Sequence, residues 1–138
     1  MENIITEYPG ELRTKAEHIL SGTEIYTDAP PDNQGKGEFF SPTDLVATAL
    51  SSCMITIMGI AARTHGFNID GTKTKVTKIM GNDPRRIIEI IVEIYFPHDE
   101  YSDKEKQLLE HSSRHCPVAQ SLHPDLKQTV IFHFGEQE

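Results

Sequence analysis

The sequence has 138 residues, 13 of them Lys or Arg and 21 Asp or Glu, giving a formal charge of −8 and a pI near 5.3. That length suits one domain with its own core, and a hydrophobic content of 37% with 25% charged residues is that of a soluble globular chain. The acidic balance excludes a general nucleic-acid binder and a polybasic membrane attachment, because no basic stripe is present to neutralise phosphates.

The N-terminal stretch MENIITEYPGEL has no basic region followed by an apolar run, so no secretory signal is expected and the cytoplasm is the expected compartment. In that compartment two cysteines point to redox chemistry, metal binding or plain reduced thiols rather than a structural disulfide. NIITEY, ELRTKAEHIL and TEIYTD read as short strands separated by Pro9-Gly10 and Ser21-Gly22, both turn signals, which predicts a small antiparallel meander. APPDNQGKGEFF, rich in Pro, Gly, Asp and Asn, reads as a loop long enough to carry function.

SPTD then starts a helix, with Ser41 as N-cap, Pro42 at the first helical position and Asp44 at the third. The helix is expected to run to about His65 and stop at Gly66, spanning roughly 35 Å. From Leu45 to Ala62 it carries no charge over eighteen residues, the lower edge of a membrane span. Thr48, Ser51, Ser52, Thr56 and Gly59 dilute that apolarity, so the segment reads as a buried helix of a soluble protein. Its interior is apolar or small on every face, which requires burial all round. A chain of this size does not readily surround such a helix, so a second copy is expected to cover one face, giving an obligate dimer.

Residues 67–80, FNIDGTKTKVTKIM, alternate as a half-exposed strand, and GNDPR makes a turn. RIIEIIVEIYF follows as a strand with Ile88, Ile90, Val92, Ile94 and Phe96 on one face. Glu89 and Glu93 lie on the other, within cross-strand reach of lysines on the preceding strand. Ser102, Asp103 and Glu105 open a second helix through KEKQLLEHSSRH, PVAQSL makes a short helical turn, and QTVIFHF is the last strand. No repeat or linker divides the chain, so residues 1–138 are expected to form a single α+β domain with two main helices packed on a sheet.

Chemistry is concentrated at the two cysteines. Pro117 suits the first turn of a new helix, leaving Cys116 at its N-cap with Arg114 and His115 adjacent, a setting that lowers a thiol pKa. Cys53 lies mid-helix in an uncharged setting that raises its pKa; it is a small core residue unless the fold brings a cation to it. His111 and His115 stand at i, i+4, with Cys116 and His123 nearby, which raises a zinc site as an alternative. The chain has no C-x-x-C and no H-E-x-x-H, and His111 is equally explained by a helix C-terminus, so no metal or other cofactor is expected. No serine sits in a G-x-S-x-G elbow.

Taken together, SPTDLVATALSSCM and, about sixty residues later, CPVAQSL resemble the OsmC/Ohr family of thiol-dependent peroxidases, and the resemblance covers nearly the whole chain. It implies an OsmC-like fold, antiparallel sheets packed around two central helices, assembled as an intertwined homodimer with active sites at the dimer interface. It also implies that Cys53, as thiolate, attacks an organic hydroperoxide or hydrogen peroxide, that Cys116 resolves the resulting sulfenate, and that a dithiol reductant reopens the disulfide. In peroxidatic relatives an arginine on an N-terminal strand activates the thiolate, and Arg13 is its counterpart here. The glutamate that steadies this arginine is replaced by Thr43, ten residues before Cys53, leaving Asp44 or Glu38 as substitutes. The alternative reading, which Thr43 favours, is a catalytically weak dimer of the same fold that binds a small apolar ligand at its interface.

Overall fold

The computed structural model describes residues 1–135, which group into two compact units divided within the first helix, between Val46 and Ala47. The first unit is an antiparallel meander of β1 (Ile4–Gly10), β2 (Arg13–His18) and β3 (Glu24–Asp28), followed by a loop with a 3-10 turn at Pro31–Asn33. The expected turn at Pro9-Gly10 is displaced: β1 runs through Gly10, and the reversal is made by Glu11 and Leu12 at φ 60° and 58°. A type I′ two-residue hairpin loop needs positive φ at both central positions to match the strand twist. Non-glycine residues accept it here with help from outside the turn. Leu12 N donates to the Tyr8 hydroxyl at 3.3 Å, and Leu12 O accepts from Ala29 N at 3.0 Å. The loop after β3 closes tightly on itself; a Cβ at Gly35 would fall 1.6 Å from the Ala29 carbonyl oxygen.

The first helix, α1 (Pro42–Thr64), begins and ends as expected. Ser41 Oγ accepts from Asp44 N at 3.1 Å while Asp44 Oδ2 accepts from Ser41 N at 3.0 Å, a reciprocal cap. At the other end Gly66 adopts φ 81°. The helix is long and apolar enough to cross a membrane, with a mean hydropathy of 2.0. Burial all round is not achieved by the chain itself: Ala47, Leu50, Ser51, Met54, Met58 and Ala62 are buried, but Ala49, Ser52, Thr56 and Ile60 are exposed. These two sets recur at helical spacing, so the helix has one covered face and one bare one.

The second unit contains most of α1 together with β4 (Lys73–Gly81), β5 (Arg86–Phe96), α2 (Asp103–Ser113), α3 (Pro117–Ser121) and β6 (Lys127–Phe134). The strand expected from residue 67 starts only at Lys73, because the preceding residues turn: Asn68 Oδ1 accepts from Asp70 N at 3.0 Å and Gly71 sits at φ 91°. The sheet order is β4-β5-β6, with β5 antiparallel to β4 and parallel to β6. Flanked on both edges, β5 supplies the sheet's most buried row: Ile90, Val92 and Ile94 at 0% exposure and Phe96 at 2%. Ile88, expected in that row, is 37% exposed near the strand's start. Of the two acidic residues on the opposite face, Glu93 lies across from Lys75 as expected. Glu89 lies across from Ile79 and instead meets β6, accepting from Thr129 Oγ1 at 2.6 Å with Lys127 Nζ at 4.0 Å.

Candidate active site

Two reduced cysteines lie in the second unit, near enough for Cys53 to act on the titration of Cys116. Cys116 caps α3, with its Sγ accepting from Ala119 N at 3.3 Å and Pro117 at the first helical position. It is fully buried, whereas Cys53, from the middle of α1, is partly accessible. The expectation that the cap lowers the Cys116 pKa is overturned. Burial pushes this thiol up, and the neighbouring Cys53 adds to the rise. The Ala119 N–H acts in the expected direction but is outweighed.

The histidines near Cys116 are engaged elsewhere. His115 Nδ1 donates to the His111 carbonyl at 2.9 Å, and the two rings lie 4.4 Å apart. His123 Nδ1 accepts from Asp125 N at 3.0 Å. Among the described residues, no three His, Cys, Asp or Glu side chains are grouped so as to hold a metal ion.

Arg13 opens β2 in the first unit and sits in a carboxylate clamp. Its Nε and Nη2 donate to Asp28 Oδ1 and Oδ2 at 2.7 and 2.8 Å, and Nη2 also reaches Glu38 Oε1 at 2.6 Å. Its guanidinium carbon stands 4.7 Å from the centre of the Phe39 ring. Hydrogen bonds to Asp28 and Glu38 raise the arginine pKa further, and the same pairing lowers that of Asp28. Of the two acidic candidates, Glu38 reaches Arg13, while Asp44 turns its carboxylate to the Ser41 amide in the α1 cap. Asp28 was missed. The signal was available in the hairpin register, since Arg13 and Asp28 lie directly opposite each other across β2 and β3.

The OsmC-like protein family profile matches residues 35–130. The chain belongs to the OsmC-like family. A Psychrobacter arcticus 273-4 protein, described as a candidate osmotic stress induced and detoxification response protein, is 52% identical over 96% of each chain, with a TM-score of 0.93. The fold is shared with more distant OsmC-like structures. An OsmC-like protein from Mycoplasma pneumoniae is 19% identical over 96% of each chain, with a TM-score of 0.80. An organic hydroperoxide resistance protein from Legionella pneumophila is 12% identical, covers 96% of this chain and 98% of its own, and has a TM-score of 0.75. No curated protein matches the sequence. Within this OsmC-like fold the helix position expected to hold a glutamate carries Thr43, whose Oγ1 lies 3.2 Å from Ser41 Oγ.

Proposed function

We propose that this OsmC-like protein is a thiol peroxidase that reduces organic hydroperoxides, and hydrogen peroxide, in oxidative stress defence. The observation that carries the reading is the juxtaposition, in one unit, of a partly accessible Cys53 and a fully buried Cys116, near enough for Cys53 to raise the Cys116 pKa. In the first step the Cys53 thiolate attacks the terminal oxygen of ROOH; the O–O bond breaks, the alkoxide takes a proton to leave as ROH, and Cys53 becomes a sulfenic acid. In the second, Cys116 sulfur displaces the sulfenic hydroxyl, which leaves as water with the Cys116 proton, and a Cys53–Cys116 disulfide forms. A dithiol reductant then exchanges with that disulfide, returning both thiols and leaving as a disulfide itself.

The assignment of Arg13 as the activating cation rests on the family resemblance. It is supported by the clamp, which fixes a permanent charge through Nε and Nη2 and leaves Nη1 without a protein partner among the described residues. The protein is proposed to work as a cytoplasmic homodimer. Replacing Cys53 with Ser is expected to abolish hydroperoxide consumption in the presence of a dithiol, and one equivalent of hydroperoxide should lower the intact mass of the unsubstituted chain by about two hydrogens. Unchanged turnover in Cys53→Ser, or over-oxidation with no disulfide, would rule the cycle out.

A further inference from the structure

On β6, Gln128, Val130, Phe132 and Phe134 lie across from Ile90, Val92, Ile94 and Phe96, the most buried row of the sheet. Gln128 is the one polar residue among these eight. A polar side chain on a core-facing row is costly unless hydrogen-bonded, so its partner indicates why it is there. That partner is in α3: Gln128 Nε2 donates to the Ala119 carbonyl at 3.0 Å. The amide of the same Ala119 donates to Cys116 Sγ. A single hydrogen-bonded chain therefore runs from the sheet, through one residue, to the second sulfur.

α3 needs such support. It has five residues, too few for helical hydrogen bonds to hold it alone. A second tie, from Gln120 Nε2 to the Arg114 carbonyl at 3.0 Å, joins it to the end of α2, while Gln128 ties it to the sheet. Gln128 also lines a cavity of about 370 Å³ with Met54, Ser113, Arg114, Val130 and Phe132.

We propose that Gln128 is a positioning residue for Cys116, holding α3 so that the Cys116 sulfur stays against Cys53. Resting on the peroxidase reading above, Gln128 acts on the second step only, in which the Cys116 S–H and the Cys53 S–OH give the disulfide and water. The first step, between Cys53 and the hydroperoxide, does not involve it. Intramolecular displacement is sensitive to placement at the ångström level, so loosening α3 slows resolution and leaves the sulfenate open to a second hydroperoxide, which converts it to sulfinate.

The test uses Gln128→Leu, apolar like the rest of its row, and Gln128→Glu, of the same shape but unable to donate from a carboxylate. Both are expected to raise the rate at which a maleimide alkylates Cys116 in the reduced protein by about tenfold. Both are also expected to slow disulfide formation about tenfold, and to increase the sulfinate fraction in the intact mass. The rate at which dimedone traps the first Cys53 sulfenate should stay unchanged, a pattern that general destabilisation does not produce. Unaltered disulfide formation in both variants overturns the proposal, even with faster alkylation. If the unsubstituted chain forms no Cys53 sulfenate, the peroxidase cycle fails instead, and the alkylation rates still decide whether Gln128 holds Cys116.

Discussion

Asp28 shows how much one buried side chain organises. At 1% exposure its carboxylate takes two N–H donors from Arg13 and a third from Glu38 N at 3.0 Å, so it secures both the arginine and the end of the long loop. This pairing lowers its folded-state pKa below the ordinary carboxylate value of about 3.9. A depressed folded pKa contributes stability that is fully present above the unfolded value and is lost as pH falls through the folded one. The urea midpoint is therefore expected to fall on acidification below about pH 4, and Asp28→Asn to flatten that acid limb while lowering stability at neutral pH. An acid limb identical in the two proteins would show that the pair has no such linkage. The acidic residues of the loop and cap were legible as candidates, but choosing among them was not. Asp44 is drawn to the nearest amides by the cap, and Glu38 and Asp28 reach Arg13 through strand register and loop closure. Cys116 makes the same point with the opposite sign: its cap was readable from Pro117, but its burial, which reverses the expected pKa shift, comes from residues distant in sequence.

At the scale of elements, helix starts and stops that depend on neighbouring residues were read correctly. Ser41, Pro42 and Gly66 bound α1, and Ser102 with Glu105 closes a reciprocal cap on α2, with Ser102 N donating to Glu105 Oε1 at 2.9 Å and Glu105 N to Ser102 Oγ at 3.1 Å. Ser102→Ala is expected to cost about 1 kcal/mol of stability, read as a lower urea midpoint at unchanged slope. It should leave the rate of Cys53–Cys116 disulfide formation alone, because the cap lies at the far end of α2 from Cys116. A loss below a few tenths of a kcal/mol would mean that water replaces the cap without penalty. Pairing direction was not legible. β6 joins β5 in parallel, and nothing in QTVIFHF distinguishes a parallel from an antiparallel neighbour, since both present alternating residues to the same faces. The late start of β4 had a local cue in Asp70-Gly71, which was overlooked in favour of the alternation that follows it.

For the whole molecule, the single chain leaves apolar surface bare. In the first unit Ile4, Tyr8 and Leu20 are 60%, 63% and 92% exposed, and in the second Ile60 on α1 is 57% exposed. Apolar exposure of this extent is characteristic of association surfaces, and the proposed homodimer accounts for it. Ile60→Lys, placing a charge on the bare face of α1, is expected to weaken self-association at least about tenfold, the effect of roughly 1.4 kcal/mol. Sedimentation across a concentration series would measure this. A native chain that sediments as a monomer at all concentrations would remove the dimer.

By itself the sequence determined the elements and the family: caps, turn residues and alternation act over a few positions, and the two cysteine contexts are contiguous strings. Tertiary structure decided what those strings do to one another. It brought Cys53 near Cys116, buried Cys116 and raised its pKa, gave Arg13 to Asp28 and Glu38, and tied Gln128 to α3. Each of these is an effect of burial or of pairing across strands, and both depend on residues that the fold, not the chain, makes neighbours.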